Sequence, residues 1–209
     1  MSRLVNDLLR NGYLKTDLII DAFSEVSRVE FVPDHLVNVA EADMPLPIGS
    51  GQTISQPMTV AFMLELLSPQ RGQNILDIGS GSGWTTALLA FIVGATGHVT
   101  GLERILGIYE MGKRNLEKYP FIARDHIVSM VHADGYNGYA DKAPYDRILV
   151  SAAVDEVPQT FKDQLKPGGS IVLPVHNSIW YLEKGKGSSS EFVKEEYPGF
   201  SFVPFMHRE

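Results

Sequence analysis

Residues 74–84, Asn-Ile-Leu-Asp-Ile-Gly-Ser-Gly-Ser-Gly-Trp, restrict the fold more than any other stretch of this chain. Ile75, Leu76 and Ile78 form a short apolar run suited to a strand buried on both faces. Gly79, Gly81 and Gly83 follow at every second position, where backbone can approach a ligand more closely than side chains permit. Residues 85–93 are apolar and uninterrupted, so a helix is expected there. Strand, glycine loop and helix make the first half of a nucleotide-binding α/β unit. Its ligand is expected at the carboxyl end of the strand.

The spacing also selects among ligands. A dinucleotide fingerprint, Gly-x-Gly-x-x-Gly, requires its third glycine at position 84, where this chain has Trp84. Asp77, inside the strand end, would repel a pyrophosphate and attract a cationic, amino-acid-bearing ligand. A second strand over 97–103 ends in Glu103, whose carboxylate can accept both hydroxyls of a ribose. A third strand, 127–131, leads into Asp134-Gly135. The fourth, 146–150, is followed by Ser151, Ala152, Ala153 and Val154, small residues that leave room for a peptide backbone. Pro158 suits the first turn of a helix that stops before Lys166-Pro167-Gly168-Gly169, and a fifth strand spans 170–175. Residues 179–183, a turn through 185–190, and 192–193 predict an antiparallel hairpin that completes the sheet.

The first 44 residues read as a helical cap over the sheet edge. Leu4, Val5, Leu8 and Leu9 share one face of a helix that Asn11-Gly12 ends. Thr16 or Asp17 can cap a second, with Leu18, Ile19, Ala22, Phe23 and Val26 facing inward, and 34–42 form a third segment. Residues 44–51 hold two prolines and two glycines, which predicts irregular chain. A helix is expected over 58–67, and on spacing alone Ser55 reads as its cap.

Other classes are excluded by what the chain lacks. Net charge is −7 with no offsetting basic cluster, so no nucleic-acid partner is expected. There are no cysteines, and the six histidines show no i, i+4 pair, so no metal site is expected. No Gly-x-Ser-x-Gly elbow is present. Residues 107–114 nearly match a P-loop but place Arg114 where the magnesium-binding hydroxyl belongs, so Ile108, Met111 and Leu116 read as the buried side of a helix. The longest apolar runs fall far short of a membrane span, and residues 1–7 lack a signal-peptide core. A cytoplasmic monomer, away from membranes, is the expectation.

The Asp-x-Gly-x-Gly-x-Gly loop resembles the first motif of the S-adenosylmethionine-dependent methyltransferases. Arg28-Val29-Glu30-Phe31-Val32-Pro33, Pro45-Leu46-Pro47-Ile48-Gly49 and Gly51-Gln52-Thr53-Ile54-Ser55-Gln56-Pro57 precede that loop in one order. The set resembles the protein-L-isoaspartate O-methyltransferase family, and Val203-Pro204-Phe205 is similar to that family's closing segment. The resemblance implies a Rossmann-like fold, α/β, with a mainly parallel sheet of seven strands, helices on both faces and the N-terminal helical cap. It implies methyl transfer from S-adenosylmethionine to the α-carboxylate of L-isoaspartyl residues in damaged proteins and peptides. Ser55 would be catalytic, touching the reacting carboxylate, with Thr53, Ile54, Ala152, Ala153 and Val154 binding substrate. Asp77, Gly79, Ser80, Gly81, Gly83, Trp84, Glu103, Arg104, Asp134 and Gly135 would hold the cofactor, Asp134 accepting the exocyclic amine of adenine.

One domain over 1–209 is expected. Residues 1–57 would form the cap and substrate loop, 58–175 the cofactor core, and 176–209 the C-terminal hairpin. Ser50, Met58, Asp155 and Met206 depart from the family pattern, which bears on the range of acceptors. Two alternatives stay open: another carboxylate acceptor, or a non-catalytic module that binds S-adenosylmethionine.

Overall fold

The computed structural model describes residues 1–187 and 191–206. Seven strands form one sheet in the order β5-β4-β3-β6-β7-β8-β9. These are β3 (Asn74–Ile78), β4 (His98–Glu103), β5 (Val128–His132), β6 (Tyr145–Val150), β7 (Leu165–Val175), β8 (Ser178–Lys184) and β9 (Phe192–Pro198). From β5 to β7 every pairing is parallel, while β8 and β9 add antiparallel. Strand order reverses at β3, whose neighbours are β4 and β6, and a crevice opens at that switch point above the strand ends.

Side-chain alternation along β3 feeds two cores. Ile75 packs on one face with Leu4, Phe23, Leu64 and Leu88. Leu76 and Ile78 pack on the other with Ile148, Phe161 and Ile171. The first face carries α1 (Arg3–Arg10), α2 (Asp17–Glu25), α3 (Pro57–Leu67), α4 (Trp84–Val93), α5 (Leu106–Leu116) and α6 (Pro120–Asp125). The second is covered by the short α7 (Gln159–Asp163) and the turns beside it. The near P-loop is α5, with Ile108 and Leu116 buried and Met111 packed against the same core, as the apolar spacing predicts.

Four expectations need correction. Residues 44–51 are not irregular: β1 (Leu46–Gly49) pairs antiparallel with β2 (Gln52–Ile54). A two-stranded ribbon has only edge strands, where proline is tolerated. A register shift between Pro47 and Gly49 takes up the extra residue, and Gly49, Ser50 and Gly51 turn with positive φ. The cap lies on helices rather than over the sheet edge: α2 packs on α4, with Phe23 edge-on to Trp84 at 5.5 Å, and Asp34–Val39 is a 3₁₀ turn with no buried residue. Lys166 to Gly169 lie within β7 and do not precede it. Strand β9 also runs five residues beyond Val193, to Pro198, while part of the expected 185–190 turn lies outside the described residues.

Candidate active site

The glycine loop links β3 to α4. Gly79, Gly81 and Gly83 have φ of +77°, +56° and +91°, conformations that side-chain-bearing residues rarely adopt. Space around them is as restrictive as conformation. A Cβ on Gly83 would lie 3.1 Å from the Gly112 carbonyl, and one on Gly112 would lie 2.7 Å from the Gly81 carbonyl. Helix α5 therefore presses backbone to backbone on the loop. Across the crevice, a Cβ on Gly135 would sit 2.5 Å from Ile78 Cγ2. Gly83, Gly112 and Gly135 thus have no room for a side chain.

Glu103, at the end of β4, is 7% exposed. Its Oε2 accepts the Gly81 N–H at 3.2 Å and its Oε1 accepts the Ile105 N–H at 2.8 Å. Each oxygen keeps one lone pair for a ligand hydroxyl. Glu103 lines an open hollow with Ile78, Gly79, Leu102, Arg104, Ala133 and Gly135, and Phe205 and Met206 also line it. Apolar walls with one pinned carboxylate suit a nucleoside. Asp134 stands between Ala133 and Gly135, exposed, with Oδ1 accepting the Tyr136 N–H at 3.0 Å.

A second hollow adjoins it and shares Gln52, Gly79, Glu103 and Ala152. Ser80, Gly81, Trp84 and Thr85 form one wall, and Thr53, Ile54 and Ser55 the other. Trp84 is buried, its Nε1 donating to the Val26 carbonyl at 3.4 Å. Asp77 does not line either hollow. It lies beneath the loop at 0% exposure, where Oδ2 accepts the hydroxyls of Thr85 at 2.9 Å and Thr86 at 2.6 Å. Among the described residues Asp77 Oδ1 and Ser80 Oγ have no hydrogen-bond partner. Burial raises the Asp77 carboxyl from 3.8 to about 6; the threonine hydroxyls oppose the rise and the nearby Glu103 charge adds to it.

A third hollow continues outward from Ser55, lined by Pro45, Thr53, Thr59, Ser151, Phe202 and Val203 among others. The cap question is settled by Asp43. The side chain of Gln56, at the N-cap of α3, makes no capping bond; Asp43 reaches in from the preceding loop, Oδ1 accepting the Met58 N–H at 2.8 Å. Ser55 is thus not the helix cap, and it lines both the second and third hollows.

Of the small residues after β6, Ala152 lines the inner hollows, whereas the backbone of Ala153 and Val154 is committed elsewhere. Ala153 pairs with Val203 and Phe205, and Val154 N–H donates to the Pro174 carbonyl. Both face a side hollow with Asp155, Glu156 and Tyr136. Gln52 and Phe202 line the site without having been singled out, and Ser151, expected only as one of the small residues after β6, lines the second and third hollows. Ser151 was legible, since it follows the carboxyl end of a parallel strand.

The family model described as Protein-L-isoaspartate(D-aspartate) O-methyltransferase (PCMT) matches residues 1–209. The chain belongs to this family. A protein-L-isoaspartate O-methyltransferase of Methanopyrus kandleri is 41% identical over 211 residues, covering 99% of this chain and 91% of that protein. One of Methanothermobacter thermautotrophicus is 39% identical over 207 residues, covering 98% and 94%. Among solved structures, a Plasmodium falciparum protein in complex with S-adenosyl-L-homocysteine superposes with a TM-score of 0.85 at 22% identity, covering 97% of this chain and 96% of that one. At that identity the likeness carries the fold. Enzymes of the family act on isoaspartyl-containing proteins.

Proposed function

We propose that this chain transfers a methyl group from S-adenosylmethionine to the α-carboxylate of L-isoaspartyl residues in damaged proteins and peptides. The observation that carries the reading is Ser55, which lines both the hollow over the glycine loop and the outer hollow. A carboxylate entering from outside meets the cofactor side at that residue.

S-adenosylmethionine supplies, when bound, a methyl group made electrophilic by its sulfonium charge. Glu103 would hold the ribose hydroxyls, and Ile78, Leu102 and Ile105 the adenine, with Asp134 and Gly135 at its edge. Gly79, Ser80, Gly81, Gly83 and Trp84 would shape the place of the methionine part. Asp77, fully buried below, would contribute a negative field favouring a cation. Arg104 lines the nucleoside hollow beside Glu103.

The acceptor carboxylate, with a reference pKa of roughly 3–4, is ionised at neutral pH, so no general base is required. Its oxygen forms the new bond to the methyl carbon as the carbon–sulfur bond breaks. Thr53, Ile54, Ser55 and Ala152 would fix that oxygen in line, and such alignment can supply about 7–11 kcal/mol of the barrier. A single domain acting as a monomer in the cytoplasm, apart from nucleic acid and membranes, completes the reading. No helix among the described residues is long and apolar enough to cross a membrane.

The test compares isoaspartyl and aspartyl versions of one peptide in a radiolabelled methyl-transfer assay. Label must go to the isoaspartyl form alone; label in neither, with the cofactor bound, would leave a binding module. Ser55→Ala should lower turnover about ten- to a hundredfold, one charge-assisted hydrogen bond being worth about 1.5–3 kcal/mol. Its melting temperature should hold, because Asp43 caps the helix. A destabilised variant with unchanged turnover would remove Ser55 from catalysis.

A further inference from the structure

We propose that Arg28 is the positioning residue for the acceptor loop, setting the place of Ser55 from behind and tying it to the cofactor loop through Trp84. For its effect on activity the inference rests on the function proposed above.

Arg28 is 2% exposed, an unusual place for a guanidinium with no ion pair among the described residues. Its partners are backbone carbonyls from two separate segments. Nη1 donates to Ala40 at 2.7 Å and Ala42 at 3.2 Å. Nη2 donates to Met44 at 2.9 Å, Ile54 at 3.4 Å and Ser55 at 3.1 Å. The first three carbonyls lead into the β1–β2 hairpin and the last two leave it, so one planar group staples both ends of the loop. The carbonyl of Ser55 itself is held.

The same guanidinium lies over the Trp84 ring, with Cζ 5.5 Å from the centroid. Trp84 begins α4 and lines the hollow above the glycine loop. Arg28 is therefore the shared support of the wall bearing Ser55 and the wall bearing the glycines. Burial lowers its pKa from 12.5 to about 10, the Asp43 charge opposing the fall, and it stays charged at neutral pH. Asp43 grips the far side of the same loop, accepting from Gln56 Nε2 as well as from Met58 N–H.

Lysine cannot replace this arrangement. An ammonium is a point donor, while five carbonyls spread around a plane require the fork of a guanidinium. Sequence reading reached Arg28 only as the first residue of a family motif. Its role depends on carbonyls 12 to 27 residues away along the chain.

The experiment uses the full chain and the variants Arg28→Lys and Arg28→Met, with two readouts. Hydrogen exchange needs no acceptor: amides of 44–56 should exchange about tenfold faster or more in Arg28→Lys, with 74–78 in β3 unchanged. Unchanged exchange in 44–56 overturns the proposal, whatever the substrate. Kinetics with the isoaspartyl peptide should show kcat per folded molecule lowered about ten- to a hundredfold in Arg28→Lys. KM and the dissociation constant for S-adenosylhomocysteine should move less than about threefold. Loosened exchange with unchanged kcat also overturns it, because Arg28 would then serve stability alone. Wild-type enzyme inactive on the isoaspartyl peptide refutes the assigned reaction, and the exchange arm still decides Arg28's hold on the loop. If Arg28→Met does not fold, Arg28→Lys carries both readouts.

Discussion

Asp77→Asn should stabilise the protein at neutral pH and leave it unchanged in acid. The carboxylate is wholly buried, two hydroxyls serve one of its oxygens, and the other oxygen has no partner among the described residues. Its folded-state pKa of about 6 stands above the ordinary 3.8, so the native state binds the proton more tightly than the unfolded chain does. Stability must then fall as pH rises from about 4 to about 6, and stay flat above that range. The rise in pKa corresponds to about 3 kcal/mol lost at pH 7. Asparagine keeps an acceptor for Thr85 and Thr86 and carries no charge. The variant should therefore gain up to about 3 kcal/mol at pH 7 and little at pH 4, where wild-type Asp77 is already protonated. Urea denaturation of both proteins at the two pH values, without cofactor, gives the difference directly. An equal difference at both values would refute the reasoning. The variant should also bind S-adenosylmethionine more weakly, since the charge below the loop is gone.

Glu103→Gln should raise the dissociation constant for S-adenosylhomocysteine about ten- to a hundredfold, because the amide offers one acceptor oxygen where two N–H groups and two ribose hydroxyls need four bonds. Calorimetry checks it, and unchanged affinity would remove Glu103 from the site. Gly112→Ala should cost about 1–3 kcal/mol and weaken cofactor binding, its methyl lying 2.7 Å from the Gly81 carbonyl and 3.2 Å from Met130 Cε. Gly107→Ala on the same helix meets nothing within 4 Å and serves as the control in a thermal melt.

The parallel strands and the glycine loop were legible because their signals are local. An apolar run of period suited to a buried strand, broken by glycines, is written in consecutive residues. Glu103 was legible for the same reason, as the acid ending a strand. What stayed hidden depends on pairing across the chain. Pro45 and Pro47 argued against a strand, and only the pairing of 46–54 shows that both strands are edges. Ser55 looked like a cap because the true cap, Asp43, lies 15 residues before Met58. Asp77 was expected to meet the ligand; that it points under the loop is settled by Thr85 and Thr86, whose hydroxyls compete for it. Ala153 and Val154 were expected in the acceptor site, but the 203–205 segment takes the backbone of Ala153 and the end of β7 takes that of Val154.

The outermost hollow draws its walls from the β1–β2 hairpin, the start of α3 and the 201–203 segment, with Ser151 alone contributed from the end of a parallel strand. The hollow proposed above for the donor, by contrast, is lined chiefly by the loops that follow β3, β4 and β5. The molecule is thereby divided like a tool with a fixed handle and an interchangeable head. Grafting residues 44–56 together with 199–206 from a relative would exchange the acceptor preference as a cassette. The donor hollow would stay as it is if the graft keeps the buried Leu46, Ile48 and Ile54, the pairing of 203–205 with Ala153 and the carbonyls that face Arg28.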